Sequence, residues 1–266
     1  MFERILFFGF GTMARAMLEG WLASGLRAAR FTVYNPRPKP VPDGVAFTSA
    51  LPDGSFDAVI LGVKPQKLAE VASELEPLLG PETVLVSILA GVQLASLAER
   101  FPRAGGIVRL MPNLAVAIRQ SPNALVAQGL GEGTRAVVSD LAARLGSAEW
   151  LADEMQFDLV TALAGSGPGF VYRFIDALAA GAATLGLDPA QAERLAVQMV
   201  AGAGALAAAS DHSPAELARR VASPGGMTQK GLDVLDEGGA LETLVTRCLA
   251  AARDRGREMA EAARTG

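Results

Sequence analysis

"RILFFGFGTMARAMLEGWLASG", residues 4–25, decides the fold. It opens with an apolar run of strand length and closes with a helical pattern that stops at Gly25, with G-F-G-T-M-A at the join. A strand turning straight into a helix through G-x-G-x-x-A is the context in which the dinucleotide fingerprint has a mechanism. Gly9 allows the tight turn, Gly11 lets a pyrophosphate approach the backbone, and Ala14 permits close packing of the helix. Gly9, Phe10, Gly11, Thr12 and Met13 are therefore the candidate phosphate cradle at a helix N-terminus.

The alternation continues outward from this stretch. "RFTVYN" reads as a second strand, "FDAVILGV" as a third, buried one, and "PQKLAEVASELEPLLG" as a helix. "TVLVSIL", a helix near residues 93–100, "GGIVRLM", "NALVAQ", a helix from Arg135 to Leu145 and a short strand "AEWLA" follow. Alternation of this kind predicts an α/β fold, a Rossmann-type parallel sheet with helices on both faces. After about Met155 the strand signals vanish, and helices are predicted over 168–186, 189–209, 213–221, 227–236 and 240–263. The expected organisation is a nucleotide-binding domain over residues 1–155 and an all-α domain over 156–266. In the second, Phe170, Phe174 and Leu178 recur four apart on one face, and the small residues of "VAGAGALAAAS" let helices approach closely. Residues 196–209 carry more apolar surface than one small helical domain can cover, which predicts a homodimer through this half.

Composition narrows the chemistry. The chain has 266 residues and a formal charge of −4, so no basic field invites nucleic acid. No apolar run approaches the roughly 18 residues needed to span a bilayer, and the N-terminal apolar stretch is too short and glycine-broken for a signal peptide. The single cysteine, Cys248, excludes an internal disulfide, points to a reducing cytoplasm, and reads as a small core residue. The single histidine, His212 in "SDHSPAEL", lies at the start of a helix that Ser213 can cap. One His and one Cys support neither a metal cluster nor a Ser–His–Asp relay. An enzyme built on this chain takes its chemistry from a cofactor.

The end of the second strand indicates which cofactor. An NAD enzyme places Asp or Glu there for the ribose 2′-hydroxyl; this chain has Asn35, then Arg37 and Lys39 in "YNPRPKP". A neutral residue removes the repulsion and a guanidinium can clamp a 2′-phosphate, so NADPH is expected, with NADH weaker. Further strand ends carry "GVKP" (Val63, Lys64, Pro65), "LAG" (Ala90, Gly91) and "RLMPN" (Asn113), together consistent with a cofactor path. Late in the chain, "RVASPGGMTQKG" breaks the helical pattern with Pro224, Gly225 and Gly226. By its residues alone it is either a tight interhelical turn or an anion cradle with Thr228 beside it.

In order, "GFGTMA", "GVKP", "RLMPN", "LAGSGPGF" and "ASPGGMTQKG" resemble pyrroline-5-carboxylate reductases, the last enzymes of proline synthesis. The resemblance spans nearly the whole chain, and its last two motifs are the most specific. It implies NAD(P)H on an N-terminal Rossmann domain and a helical domain that dimerises by interleaving, with dimers often assembled into rings of five. It also implies that Ser223 and the backbone N–H groups of Gly225, Gly226 and Met227 hold the carboxylate of the cyclic imine, and that Thr228 addresses its nitrogen. "GSGPG", Gly165 to Gly169, would begin the dimer-forming helix. The chain departs from the family at Ala115, Ala164, Phe170 and Met227, where proline, serine or threonine, tyrosine, and a small residue or threonine are usual, and it lacks the glycine usual near Ser121. A thioether at position 227 would narrow the ring pocket. The rival readings are an imine reductase for another substrate, a β-hydroxyacid dehydrogenase and a non-catalytic NADP-binding protein. The dehydrogenase needs a lysine general acid–base on a helix of the second domain, and the only lysine after residue 67 is Lys230. The non-catalytic reading has no use for the Ser-Pro-Gly-Gly-x-Thr turn.

Overall fold

The structure, a computed structural model, describes residues 1–265 and the side chains of residues 1–261. It divides into two compact units: Met1–Ser166 together with the chain from Ala251 onward, and Gly167–Ala250. The geometric division falls at Ser166 rather than near residue 155, with Phe157 still packed in the core of the first unit, and the last helix returns to that unit.

The first unit is built on an eight-stranded sheet. Its strands are β1 (Ile5–Phe8), β2 (Phe31–Tyr34), β3 (Ala46–Thr48), β4 (Ala58–Leu61), β5 (Val84–Ser87), β6 (Gly106–Met111), β7 (Ser121–Gln128) and β8 (Gly146–Trp150), in the order β3-β2-β1-β4-β5-β6-β7-β8. Between them run α1 (Thr12–Ala23), α2 (Leu68–Leu75), α3 (Leu94–Arg100) and α4 (Glu132–Ala143). β1 pairs parallel with β2 on one side and β4 on the other, so the strand order reverses there, the place where open α/β sheets bind ligands. Burial on both faces explains the unbroken apolar strands. Ile5 and Phe7 of β1 face the core that contains Trp21, Phe31 and Val108, while Leu6 and Phe8 face the core of Val59, Leu85 and Phe101. Trp21 is fully buried, stacks on Phe31 and donates its indole N–H to the Leu141 carbonyl at 2.8 Å.

Three elements differ from the sequence reading. β7 runs antiparallel to β6. Only residues 112–120 connect them, too few for the crossover that parallel strands require. β3, three residues and partly exposed, lacks the apolar run that marks the other strands. The helix expected through residue 80 stops at Leu75, and a single 3₁₀ turn carries the chain through Pro77.

A buried ion pair ties several of these elements together. Arg109 on β6 donates Nη1 to Glu154 Oε1 at 2.6 Å, and the two side chains are only 3% and 26% exposed. The guanidinium also lies 3.8 Å from the centroid of the Phe157 ring, its Nε has no partner, and the same Glu154 oxygen accepts the Leu94 N–H at the start of α3 at 2.8 Å. Burial lowers the Arg109 pKa from its ordinary value; the hydrogen bond from Glu154 opposes that shift. Beyond Glu154 the chain forms α5 (Phe157–Val160) and then a π-helical turn, Thr161–Gly165, with the Ser166 N–H reaching back to the Thr161 carbonyl at 2.9 Å.

The second unit is helical. It contains α6 (Gly167–Thr184), α7 (Pro189–Ala209), α8 (Pro214–Val221), α9 (Met227–Asp236) and the start of α10 (Ala240–Thr265). Ser213 caps α8 as expected, accepting the Glu216 N–H at 3.3 Å. Its core is sparse: among the described residues α7 buries only Ala192 and Ala196, and α6, α8 and α9 bury none. Phe170, Phe174, Met199 and Leu206 stay exposed. Cys248 is exposed as well, against the expectation of a core position, because the unit has so little interior for a small side chain to fill.

Removing one partner of a buried pair leaves an uncompensated charge. Glu154→Ala should cost about 2–4 kcal/mol, with the partial exposure of Glu154 holding it below the fully buried case. Urea midpoints at one fixed protein concentration check this, and the double variant Arg109→Met, Glu154→Leu should recover most of the loss.

Candidate functional site

Each unit carries its own half of the candidate chemistry. In the first, Gly9 adopts φ +90°, donates its N–H to the Tyr34 carbonyl at 2.9 Å, and leaves no room for a side chain. A Cβ there would stand 2.9 Å from Val63 Cγ1 and 3.0 Å from the Gly62 carbonyl. The loop after β1 is thus pressed against the loop after β4. Gly62, the first residue of "GVKP", is pressed in turn: its own Cβ would come within 3.1 Å of the Gly9 carbonyl oxygen. Gly11, by contrast, faces open space: nothing lies within 4 Å of its would-be Cβ. It is the N-cap of α1, and no side chain caps it. The bare N–H groups of the first helical turn therefore open onto a cavity-free approach, the arrangement that suits a phosphate.

Asn35, at the end of β2, joins two parts of this cradle. Its Oδ1 accepts the Phe10 N–H at 3.3 Å and its Nδ2 donates to the Arg37 carbonyl at 2.6 Å. The amide thus acts as a brace between the glycine loop and the basic loop, and Arg37 and Lys39 present exposed side chains beyond it. Lys64 is exposed and caps a single 3₁₀ turn, Pro65–Lys67. Ala90 and Gly91 follow β5, with Gly91 buried at φ +73°.

Asn113 serves structure more than a ligand. Its Oδ1 accepts the Ala115 N–H at 2.8 Å, and its Nδ2 donates to the Ala164 carbonyl at 2.9 Å. Its backbone N–H donates to Ser121 Oγ at 3.0 Å. At most one amide hydrogen is left for a cofactor.

In the second unit the interruption at residues 223–226 is a type II turn. The Gly226 N–H donates to the Ser223 carbonyl at 2.9 Å, Pro224 takes the first central position, and Gly225 supplies φ +72°. Gly226 then caps α9 without a side chain, and a Cβ on it would stand 2.5 Å from Ser223 Oγ. The Gly226 N–H, one of the expected carboxylate donors, thus closes the turn. The N–H groups of Gly225, Met227 and Thr228 have no partner among the described residues. The Thr228 hydroxyl is exposed and equally unpaired, and Met227 is 94% exposed. Lys230 is exposed and leans toward Asp233 at 3.5 Å, far from the buried setting that would tune it as an acid–base. Gly165 falls in the π turn rather than in α6, which begins at Gly167.

Comparisons with known proteins match the two halves of the chain to different family models. A family model described as pyrroline-5-carboxylate reductase dimerisation matches residues 154–259, and one described as NADP oxidoreductase, coenzyme F420-dependent, matches residues 4–91. The chain is 36% identical to the pyrroline-5-carboxylate reductase of Pseudomonas aeruginosa, with 97% of each covered. It is 32% identical to pyrroline-5-carboxylate reductase 2 of Bacillus subtilis, with 97% of this chain and 96% of the other covered. Among solved structures, the pyrroline-5-carboxylate reductase of Coxiella burnetii superposes with a TM-score of 0.86 at 31% identity, covering 97% of this chain and 98% of that one.

Proposed function

The chain belongs to the pyrroline-5-carboxylate reductase family, and from that premise we propose that it reduces 1-pyrroline-5-carboxylate to L-proline with NADPH. The observation that carries the reading is the Ser-Pro-Gly-Gly turn, which opens directly onto an uncapped helix start followed by Thr228. A carboxylate suits the unpaired N–H groups of Gly225 and Met227 with the Ser223 hydroxyl, and Thr228 is left to hold the ring nitrogen. NADPH suits the first unit, where open space at Gly11 and the bare N-terminus of α1 accept a pyrophosphate and Arg37 is available to a 2′-phosphate. The cofactor set is Gly9, Phe10, Gly11, Thr12, Met13, Asn35, Arg37, Val63, Lys64, Pro65, Ala90, Gly91 and Asn113, with Asn35 and Asn113 acting mainly through the backbone they brace.

The cofactor supplies a hydride to the imine carbon. What the protein adds is position. A protonated cyclic imine is already electrophilic, so alignment matters more than a strong acid, in keeping with a chain whose single histidine is exposed at the start of α8. Wild-type protein with NADPH and pyrroline-5-carboxylate should consume both in equal amounts and yield proline; protein that binds NADPH and leaves this imine untouched refutes the assignment. Thr228→Val is nearly isosteric and removes only the hydroxyl. It should lower kcat/KM about 5- to 30-fold, the worth of a hydrogen bond of about 1–2 kcal/mol, with NADPH affinity unchanged.

Arg37→Ala tests cofactor choice. NADPH binding should weaken about tenfold or more, the loss of a charge-assisted contact of about 1.5–3 kcal/mol, while NADH binding stays within about twofold. Fluorescence titration of both cofactors measures the ratio, and equal losses remove Arg37 from 2′-phosphate recognition.

The working assembly is a homodimer through residues 156–266, with a pentamer of dimers as the larger form, acting in the cytoplasm. The near-empty core of the helical unit and its exposed Phe170, Phe174, Met199 and Leu206 support association of copies. Among the described residues no helix is long and apolar enough to cross a membrane. Sedimentation at micromolar concentration should show no monomer; a fully active monomer contradicts the proposal.

A further inference from the structure

Gly91 has a second neighbour that the cofactor reading does not use. A Cβ on Gly91 would stand 3.1 Å from the backbone nitrogen of Ala260, 3.2 Å from the carbonyl carbon of Met259 and 3.3 Å from Met259 Cβ. The space beside Gly91 is therefore filled by the backbone of α10, and its φ of +73° is held against that helix. Ala260 is buried, and four residues earlier a Cβ on Gly256 would rest 3.6 Å from the Asp158 side chain. The other end of the same short segment is fastened too, since the Leu94 N–H donates to Glu154 Oε1 at 2.8 Å. Residues 91–94 are thus gripped at both ends, by Met259 and Ala260 of α10 at Gly91 and by Glu154 at Leu94.

We infer that the last turns of α10 are a positioning element for the cofactor: Met259 and Ala260 back Gly91 and fix the backbone of its loop, while Gly256 seats the same helix on Asp158. Gly91 is glycine because a helix backbone packs on it, and the ligand-facing side of the loop is defined by that packing. Loops at strand ends are otherwise the least constrained parts of such sheets, and a rigid backing removes the ordering entropy that binding would have to overcome. The inference rests on the NADPH reading above and goes beyond it, assigning a role to residues far from the fingerprint in sequence.

Amide hydrogen exchange on the wild-type protein, with and without NADPH, tests it without any variant. NADPH should slow exchange in residues 89–94 and 256–260 together. Slowing in 89–94 with no change in 256–260 overturns the inference and leaves the NADPH reading standing; wild-type protein that binds no NADPH overturns both. Kinetics give an independent readout. Ala260→Glu sets an uncompensated carboxylate at a buried position and should push the helix end from the loop. KM for NADPH should rise about tenfold, with kcat and KM for the imine within about twofold, while Arg255→Ala on the exposed side of the same helix changes none of them. An Ala260→Glu enzyme that folds and keeps the wild-type KM for NADPH refutes the assignment. If Ala260→Glu does not fold, the exchange experiment decides.

Discussion

The first unit depends on one backbone turn that has no room for a side chain. Gly9 must carry φ +90°, present its N–H to Tyr34 and lie against Gly62 and Val63 at once. An added methyl would meet both strain and collision. Because β1 sits where the strand order reverses, this turn joins the loops of β2 and β4 at a single point and leaves the N-terminus of α1 open between them. Asn35 then does for the neighbouring loop what Gly9 does for the strands. Its amide needs an acceptor for the Phe10 N–H and a donor for the Arg37 carbonyl, a pairing that a carboxylate cannot supply. The neutral residue at this position therefore follows from loop architecture as much as from the charge of a 2′-phosphate.

The second unit obeys a different constraint. Its helices bury so little that packing within one copy cannot account for their stability, since helices in proteins owe most of theirs to the apolar faces they cover. The Ser223–Gly226 turn sits at the start of a ten-residue helix that buries no residue. The match to a dimerisation domain over residues 154–259 fits that shortfall, and a unit stabilised by association has a stability that depends on protein concentration.

Much of this was legible in the sequence, for specific reasons. The buried parallel strands are unbroken apolar runs, and the helices from α6 to α9 begin and end at proline, glycine and capping residues within a residue or two of the expected bounds. What escaped detection lacks a local signal. Arg109 and Glu154 lie 45 residues apart in the chain, so neither announces the other. The return of α10 to the first unit is invisible because its helical pattern continues unbroken through Ala251. Cys248 was misplaced because a cysteine among apolar residues reads as interior whether or not the unit has an interior. The reversed direction of β7, by contrast, was readable in the nine residues that precede it, since no crossover fits in that length.

The residues that depart from the family pattern show how one position can exchange one constraint for another. Ala115 stands where relatives of this family usually have proline, and its N–H, which proline lacks, is the donor that Asn113 Oδ1 accepts at 2.8 Å. Ser121 stands near a usual glycine and receives the Asn113 N–H on its hydroxyl, buried and at 3.0 Å. Both residues hydrogen-bond to Asn113, one through its side chain and the other through its backbone N–H. Asn113 is thereby bound to the loop after β6 and, through Ala164, to the π turn. Most of the hydrogen-bonding capacity of Asn113 is thus spent on backbone and on Ser121. The same logic governs Gly226, whose N–H closes a turn so that its neighbours' N–H groups stay free.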